Sequence, residues 1–479
     1  MADSGKLLVR PETHVALFPS AGMGHLIPFL RLAALLVRHC RVTLITTHPT
    51  VSLAESNLIS RFFSAFPQVS QVSFDLLPLD PSTVNSTDPF WIQFEAIRRS
   101  AVHLLSPLLS SLSSPPLSVL VYYVFLISSV IPVVESLRLP NYILFVSTAR
   151  MFSFFAYLPT ISTASSAGFV SAFGDALEIP GISPVPRSSI PPLLLVPDSL
   201  FAHMFFTDSA MLNKVDGVLI NTFKELEPEA LNALNNRKQS EQGFPPVFAV
   251  GPFERLEFEE VDQCHAVSKW LDKQPEESVV YVSFGSRTAQ SRDQLRELGE
   301  GLVKCGYRFL WVVKDKIVDK DEEEGVEMVV GEELMEKMKE KGLVVKHWVD
   351  QEKILSHKAV GGFVSHSGAN SVMEAVIYGV RILAWPNNGD QRINADVVEE
   401  SGAGIWVRSW GWGGDGDHYE VVKRDEIAEK VRELMESQSL KVKIGRVQEE
   451  AKKAAQVGGV RDRAFMELIE MWKMKNLCI

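Results

Sequence analysis

Cysteine is scarce in this chain: the four among 479 residues are Cys40, Cys264, Cys305 and Cys478. Their scatter gives neither metal-ligand spacing nor a disulfide framework, and it suits a reducing, cytoplasmic compartment. Basic charge is short as well. Lys and Arg number 48 against 59 Asp and Glu, a net charge of −11, which argues against nucleic acid or an anionic membrane as partner. Long apolar runs are missing. The most membrane-like stretch, Val119–Val134 (VLVYYVFLISSVIPVV), falls short of the ~18–20 apolar residues a span needs and contains Pro132, so a buried strand followed by a helix start is expected. The first apolar run, HVALFPSAGMGH, is broken by Pro19 and glycines and does not read as a secretion leader. No internal repeat is evident. The glycine loop after the first strand does not spell G-x-G-x-x-G, so a dinucleotide fingerprint is absent.

What is present is a strand-helix-strand rhythm, the mark of parallel, doubly wound sheets. THVALF, a Gly-containing loop, the apolar helix HLIPFLRLAALLVRH and the strand RVTLITT open it. The length exceeds what one hydrophobic core usually serves, so two domains are expected. PPVFAVGPF closes the first, residues 1–253. The acidic Glu254–Asp262 reads as a linker. The rhythm restarts with SVVYVSFGSRTAQSRDQLRELGEGL and RFLWVVK in a second domain, 254–455, and residues 456–479 form a terminal helix. Ser106–Ser118 reads as helix end and loop, and the Pro/Ser-dense Gly168–Leu200 as long surface loops. Thr222, with Glu225 three residues on, is a candidate helix N-cap.

The most informative stretch runs from Trp348 to Gln391. GGFVS is a short strand, HSGANS a turn, SVMEAVIYG a helix start and VRILAWP the next buried strand. Such a turn gathers backbone N–H groups and a helix N-terminus where an anion can sit. His366, Asn370 and Ser371 add side-chain donors, and Glu374 shares a helix face with Asn370 by i,i+4 spacing. Asp390 and Gln391 follow the next strand, at the end where open α/β sheets bind ligands.

This stretch resembles the donor signature of plant family 1 glycosyltransferases that use uridine diphosphate sugars, through Trp348, Gln351, His357, Gly362, Phe363, His366, Gly368, Asn370, Ser371, Glu374, Gly379, Trp385, Pro386, Asp390 and Gln391. The resemblance implies a GT-B architecture, two Rossmann-like domains facing across a cleft, and a monomer that takes UDP-glucose as co-substrate with no cofactor and no metal. It places the UDP-sugar on Ser286, Trp348, Val349, Gln351, His366, Gly368, Asn370, Ser371, Glu374, Asp390 and Gln391. Trp348 would face the uracil, Gln351 its edge, Glu374 the ribose, and Asp390 and Gln391 the sugar. It makes His25 the general base and walls an acceptor pocket with Phe90, Trp91, Phe94, Tyr123 and Met151. The final helix, AFMELIEMWKMK, would cross back onto the first domain. Asp319-Lys320-Asp321 and Asp415-Gly416-Asp417 spell the metal-holding Asp-x-Asp of a different glycosyltransferase fold, and here read as solvated loops.

Two departures from the family pattern bear on the chemistry. The usual Cys-Gly-Trp-Asn-Ser is here Ser367-Gly368-Ala369-Asn370-Ser371, which keeps the backbone N–H but loses an indole. The aspartate that normally pairs with the histidine is replaced by Tyr123. A histidine near pKa ~6.5 taking a proton from a phenol near ~10 works uphill by roughly 5 kcal/mol. Against an alkanol near ~15.7 the cost is about 12 kcal/mol, too large for ordinary turnover. Acidic polyphenols or enolisable diketones are therefore the expected acceptors. Their ionisation also makes ring carbon nucleophilic, so a carbon-linked glycoside becomes available. GMGHLIPFLRLA, VYVSFGSRTAQSRDQLRELGEGL and the donor stretch look most like the C-glycosyltransferase branch acting on flavonoid-type polyketides. O-glucosylation of phenols stays open, as does a catalytically impaired UDP-sugar binder.

Overall fold

HVALF, VLVYY and NYILF are buried along their whole length, the pattern of strands covered on both faces by helices. In the computed structural model they lie at the centre of a parallel sheet. The structure describes residues 13–476 except 87, 113, 162–173, 197–198, 237–243, 257–262, 286–289, 314–325 and 413–419. The first sheet contains β1 (His14–Phe18), β2 (Arg41–His48), β3 (Ser70–Asp75), β4 (Val119–Tyr123) and β5 (Asn141–Phe145). A small antiparallel hairpin, β6 (Ala176–Leu177) with β7 (Val185–Pro186), precedes its last two strands, β8 (Gly217–Ile220) and β9 (Val247–Ala249). Its order is β3-β2-β1-β4-β5-β8-β9.

The second sheet is built from β10 (Val279–Ser283), β11 (Arg308–Val312), β12 (Gly342–Val345), β13 (Val360–Ser365), β14 (Arg381–Ala384) and β15 (Gly404–Trp406). Its order, β12-β11-β10-β13-β14-β15, repeats the 3-2-1-4-5-6 arrangement of doubly wound folds. Each sheet therefore reverses direction once, between β1 and β4 and between β10 and β13. Phe18 pairs with Tyr122 at the first reversal and Ser283 with Ser365 at the second. Loops leaving the strand ends at a reversal splay apart and open a crevice.

The terminal helix Val460–Asn476 leaves the second sheet's helices and packs on the first domain. Trp472, fully buried, meets Tyr142 edge-on at 5.5 Å, and Phe465 stacks on Phe253. Among the described residues no helix is long and apolar enough to cross a membrane. Val119–Val134 divides into β4, a short 3-10 turn and the helix Ile127–Leu137, with Pro132 inside it.

Two local expectations are corrected. Thr222 is not an N-cap: its hydroxyl donates to Glu227 at 2.6 Å, and the next helix starts at Pro228. The Gly168–Leu200 stretch is more than surface loop. Ile179, Ile182, Ile190 and Leu194 are buried in the first domain's core, because apolar residues between the prolines find a wall to pack on. Ser286, Arg287 and both Asp-x-Asp triplets lie outside the described residues.

Candidate active site

The first crevice presents a histidine. β1 ends at Phe18, and the chain turns through Gly22, whose φ of 97° suits only glycine, into the helix Met23–Leu36. His25 in the first turn of that helix has Nδ1 2.9 Å from the Ala21 carbonyl and 3.0 Å from Ser20 Oγ. A carbonyl can only accept, so Nδ1 carries the proton and Nε2 keeps its lone pair as an acceptor, the tautomer of a base. Tyr123, at the end of β4, donates its hydroxyl to that Nε2 at 3.1 Å and stacks on the ring with centroids 4.4 Å apart. Strand alternation sends its neighbour Tyr122 the other way, where its buried hydroxyl donates to Asn141.

Around this pair stands an aromatic wall. Asp88 caps the helix Pro89–Ser111 by accepting from the Phe90 N–H. Phe90 lies edge-on to His25 at 5.5 Å and Phe94 edge-on to Tyr123 at 5.7 Å, as their i,i+4 spacing predicts. Trp91 on the next face meets Phe201 at 5.6 Å. Met151 is buried in the same core, on the helix Ala149–Ile161. Phe125, Phe201 and Phe205 continue the wall and were not singled out from the sequence. Their signal was present only as aromatics in an apolar run, which core packing explains equally well.

The second crevice presents a candidate anion site. Ser367, buried and at φ 66°, is a rare left-handed non-glycine residue. It is held there by its N–H on Ser365 Oγ and by Asn394 donating to its carbonyl. The turn leads into the helix Ala369–Tyr378, which starts two residues earlier than its apolar spacing suggests. Its N-cap is Gly368, which brings no side chain to the first-turn amides, so the helix dipole faces the crevice uncovered.

His366 is wedged between two glycines. A Cβ at Gly285 would stand 2.8 Å from its Nε2 and one at Gly368 2.6 Å away. Its Nδ1 is buried with no hydrogen-bond partner among the described residues. Burial, against a weaker opposing pull from the Ser283 backbone, lowers its pKa to about 4. A buried imidazole whose Nε2 lies beside this uncovered helix N-terminus is an arrangement that an anion would complete.

The remaining donor residues separate into two groups. Gln351 donates to Ser371 Oγ at 2.9 Å and to Glu374 Oε2 at 2.7 Å, so the three form one cluster. Trp348 is 55% exposed at its rim, with Val349 buried behind. Asn370 instead crosses the cleft and donates to the Gly24 carbonyl at 3.0 Å. Gln391 folds back, accepting from the Asn387 and Asn388 N–H groups, so its carboxamide serves its own loop. Asp390 accepts from Asn394 and from Ser147 of the first domain, and burial raises its pKa.

The crevices are tied together by groups that sequence reasoning missed. Arg31, 5% exposed by side chain, reaches from the His25 helix to Glu352 at 2.6 Å and Glu374 at 2.8 Å. Burial alone would lower the Arg31 pKa, but the two carboxylates outweigh it and hold the guanidinium charged. Glu352 is pushed up to about 7, by burial first and by Glu374 besides, against the pull of Arg31. Arg150 pairs with Asp396 and Glu400, and Thr148 with Asn394. Arg31 was visible as a lone charge in GHLIPFLRLAALL, but its partners were not.

Comparison with known proteins fits this geometry. The family model "UDP-glucoronosyl and UDP-glucosyl transferase" matches residues 260–412. UDP-glycosyltransferase 708G2 of Citrus unshiu is 56% identical over 99% of both chains. UDP-glycosyltransferase CGT of Oryza sativa subsp. indica is 46% identical over 98% of both. The crystal structure of LpCGTa in complex with UDP superposes with a TM-score of 0.84 at 46% identity, covering 96% of this chain and 99% of that one.

Proposed function

Because the chain belongs to the UDP-glycosyltransferase family and is a GT-B enzyme of the plant family 1 type, we propose that it transfers glucose from UDP-glucose to an aromatic carbon of a polyphenol, with inversion and with His25 as general base. The relatives named CGT, read as C-glycosyltransferases, support the branch. The observation that carries the proposal is the setting of His25. Its Nδ1 bonds to a peptide carbonyl, and Tyr123 occupies the place of the expected carboxylate. A base without a contacting carboxylate is matched to acidic phenols, where the uphill transfer is roughly 5 kcal/mol, and not to alkanols, where it is about 12.

In the proposed reaction the diphosphate lies at His366 and the N-terminus of Ala369–Tyr378, which offset the charge that develops on the leaving UDP. The Gln351–Ser371–Glu374 cluster takes uridine and Asp390 the sugar. The phenol enters between Phe90, Trp91 and Phe94 and gives its proton to His25 Nε2. The ring carbon ortho to the resulting phenolate attacks the anomeric carbon from the face opposite UDP, which leaves with the electron pair of the broken C–O bond. The dienone so formed passes its ring proton through solvent to its own oxygen, restoring the phenol, and His25 returns its proton to solvent. No cofactor enters this scheme. Ala369 leaves the sugar one indole contact fewer than the family pattern.

Incubation with UDP-glucose and a phloroglucinol-type acceptor, followed by NMR of the product, tests the reading. A carbon-linked, acid-resistant glucoside is expected. An ether-linked product refutes the carbon linkage, and full turnover by His25→Ala refutes the base. UDP-glucose binding without turnover on any phenol of a broad panel refutes both.

A further inference from the structure

The carboxylate missing from the position of Tyr123 has a counterpart elsewhere. Glu55 lies in the first turn of the helix Leu53–Ala65, whose N-cap Ser52 accepts from its N–H. It is only 4% exposed although nothing in its sequence surroundings marks it as buried. Its Oε1 accepts from the Gly22 N–H at 2.8 Å. The carbonyl of that same peptide group belongs to Ala21, and it faces His25 Nδ1 at 2.9 Å. Carboxylate, peptide and imidazole thus form one chain: Glu55 Oε1, H–N of Gly22, C=O of Ala21, H–Nδ1 of His25.

We propose that Glu55 is a positioning residue that supplies His25 with carboxylate character through the Ala21–Gly22 peptide, in place of a directly contacting aspartate. The inference rests on His25 being the base. Physically, a carboxylate accepting from an amide N–H polarises that amide and makes its carbonyl a stronger acceptor. The stronger carbonyl favours the imidazolium that forms at His25. The peptide is held at both ends, by Glu55 on its N–H and by His25 on its carbonyl, and Gly22 at φ 97° has no room for a Cβ, which would stand 2.7 Å from Phe90 Cε2. No proton travels along the chain. The acceptor's O–H proton goes to Nε2, Nδ1 keeps its own, and UDP leaves with the electron pair of the broken anomeric bond. One peptide attenuates the charge, which fits a base matched to phenols.

Among the described residues, other groups come to His25 from several elements. Tyr123 comes from β4 and Ser20 from its own loop. On the Phe90 helix, Asp88 has one oxygen on the Phe90 amide. Among the described residues of the second domain, the neutral Asn370 reaches this turn, at the Gly24 carbonyl, and Arg31 further along the His25 helix is held by Glu352 and Glu374.

Glu55→Gln separates the electrostatic role from a merely structural one, since the amide oxygen can still accept from Gly22. The experiment is the pH dependence of kcat/KM for a phenolic acceptor in the full-length enzyme, with melting temperature and donor KM recorded alongside. Expected are a wild-type melting temperature and donor KM, an acid limb moved about one pH unit lower, and a plateau lower by roughly three- to tenfold. Glu55→Asp, which keeps the charge, should hold the limb within about half a unit of wild type even if it melts earlier. A wild-type limb and plateau in Glu55→Gln, or an Asp variant displaced as far as the Gln variant, overturns the proposal. If His25→Ala retains turnover, the base assignment itself fails; if it is inactive while Glu55→Gln is wild type, only the role of Glu55 fails.

Discussion

Two buried groups, His366 and Glu352, titrate in the same pH range with opposite consequences for stability. His366 has a folded pKa of about 4 against an ordinary 6.5. The unfolded chain therefore takes up the proton first on acidification, and stability falls from pH 6.5 down to about 4. Glu352 has a folded pKa of about 7 against an ordinary 4.5. Here the folded chain takes the proton first, so stability rises as pH drops from 7 towards 4.5. At about 1.36 kcal/mol per pH unit, going from pH 7.5 to 5 costs about 2 kcal/mol through His366 and returns about 2–3 kcal/mol through Glu352. In the wild type the two nearly cancel.

Single isosteric replacements should unmask them. Relative to wild type, His366→Gln should gain about 2 kcal/mol between pH 7.5 and 5, and Glu352→Gln should lose about 2–3 kcal/mol. Urea unfolding followed by tryptophan fluorescence at the two pH values reads both, and differences between variants cancel every other titrating group. UDP binding adds an independent check: an anion beside His366 raises its pKa, so binding takes up a proton near pH 5.5 in the wild type and not in His366→Gln. Calorimetry in two buffers of unlike ionisation enthalpy detects it. A His366→Gln variant with the wild-type pH slope would show that the ring is not held neutral by burial and does not stand ready for an anion.

Arg31→Met should destabilise the protein by about 3–5 kcal/mol, because it leaves Glu352 and Glu374 buried without their cation. It should also raise donor KM more than it lowers kcat; a change in urea stability below about 1 kcal/mol would contradict the buried triad. Gly368→Ala keeps an allowed backbone at φ −62° but drives a Cβ to 2.6 Å from an imidazole already blocked by Gly285. Donor KM should rise about tenfold or more with little loss of folding stability, and unaltered UDP affinity in calorimetry would rule out the wedge.

Much of the donor half was legible because its residues are close in sequence. Ser371 and Glu374 meet Gln351 from a separate helix, whereas Asn370, which i,i+4 spacing set beside Glu374, turns across the cleft to the Gly24 carbonyl; His366 sits at the helix N-terminus as the turn required. Gln391 shows the limit. Its place after β14 was right, yet the side chain turns back onto the Asn387 and Asn388 amides, a local competition that strand and helix patterns do not encode. Phe90 and Phe94 share the face their spacing gave. Phe201 and Phe205 joined them from a helix whose apolar residues carried no sign of which wall they would line.

Sequence alone determined the parallel two-sheet organisation, the crevice loops and the chemical types at each, since periodicity, glycine placement and the donor stretch are local properties of the chain. Tertiary structure decided which charges meet. Arg31 with Glu352 and Glu374, Asp390 with Ser147, and Glu55 with the peptide that faces His25 all join segments distant in the chain. The physical reason is the same in each case. A buried charge must find a partner wherever the packing of two domains leaves one, and that pairing is a property of the assembled crevice, not of any stretch that lines it.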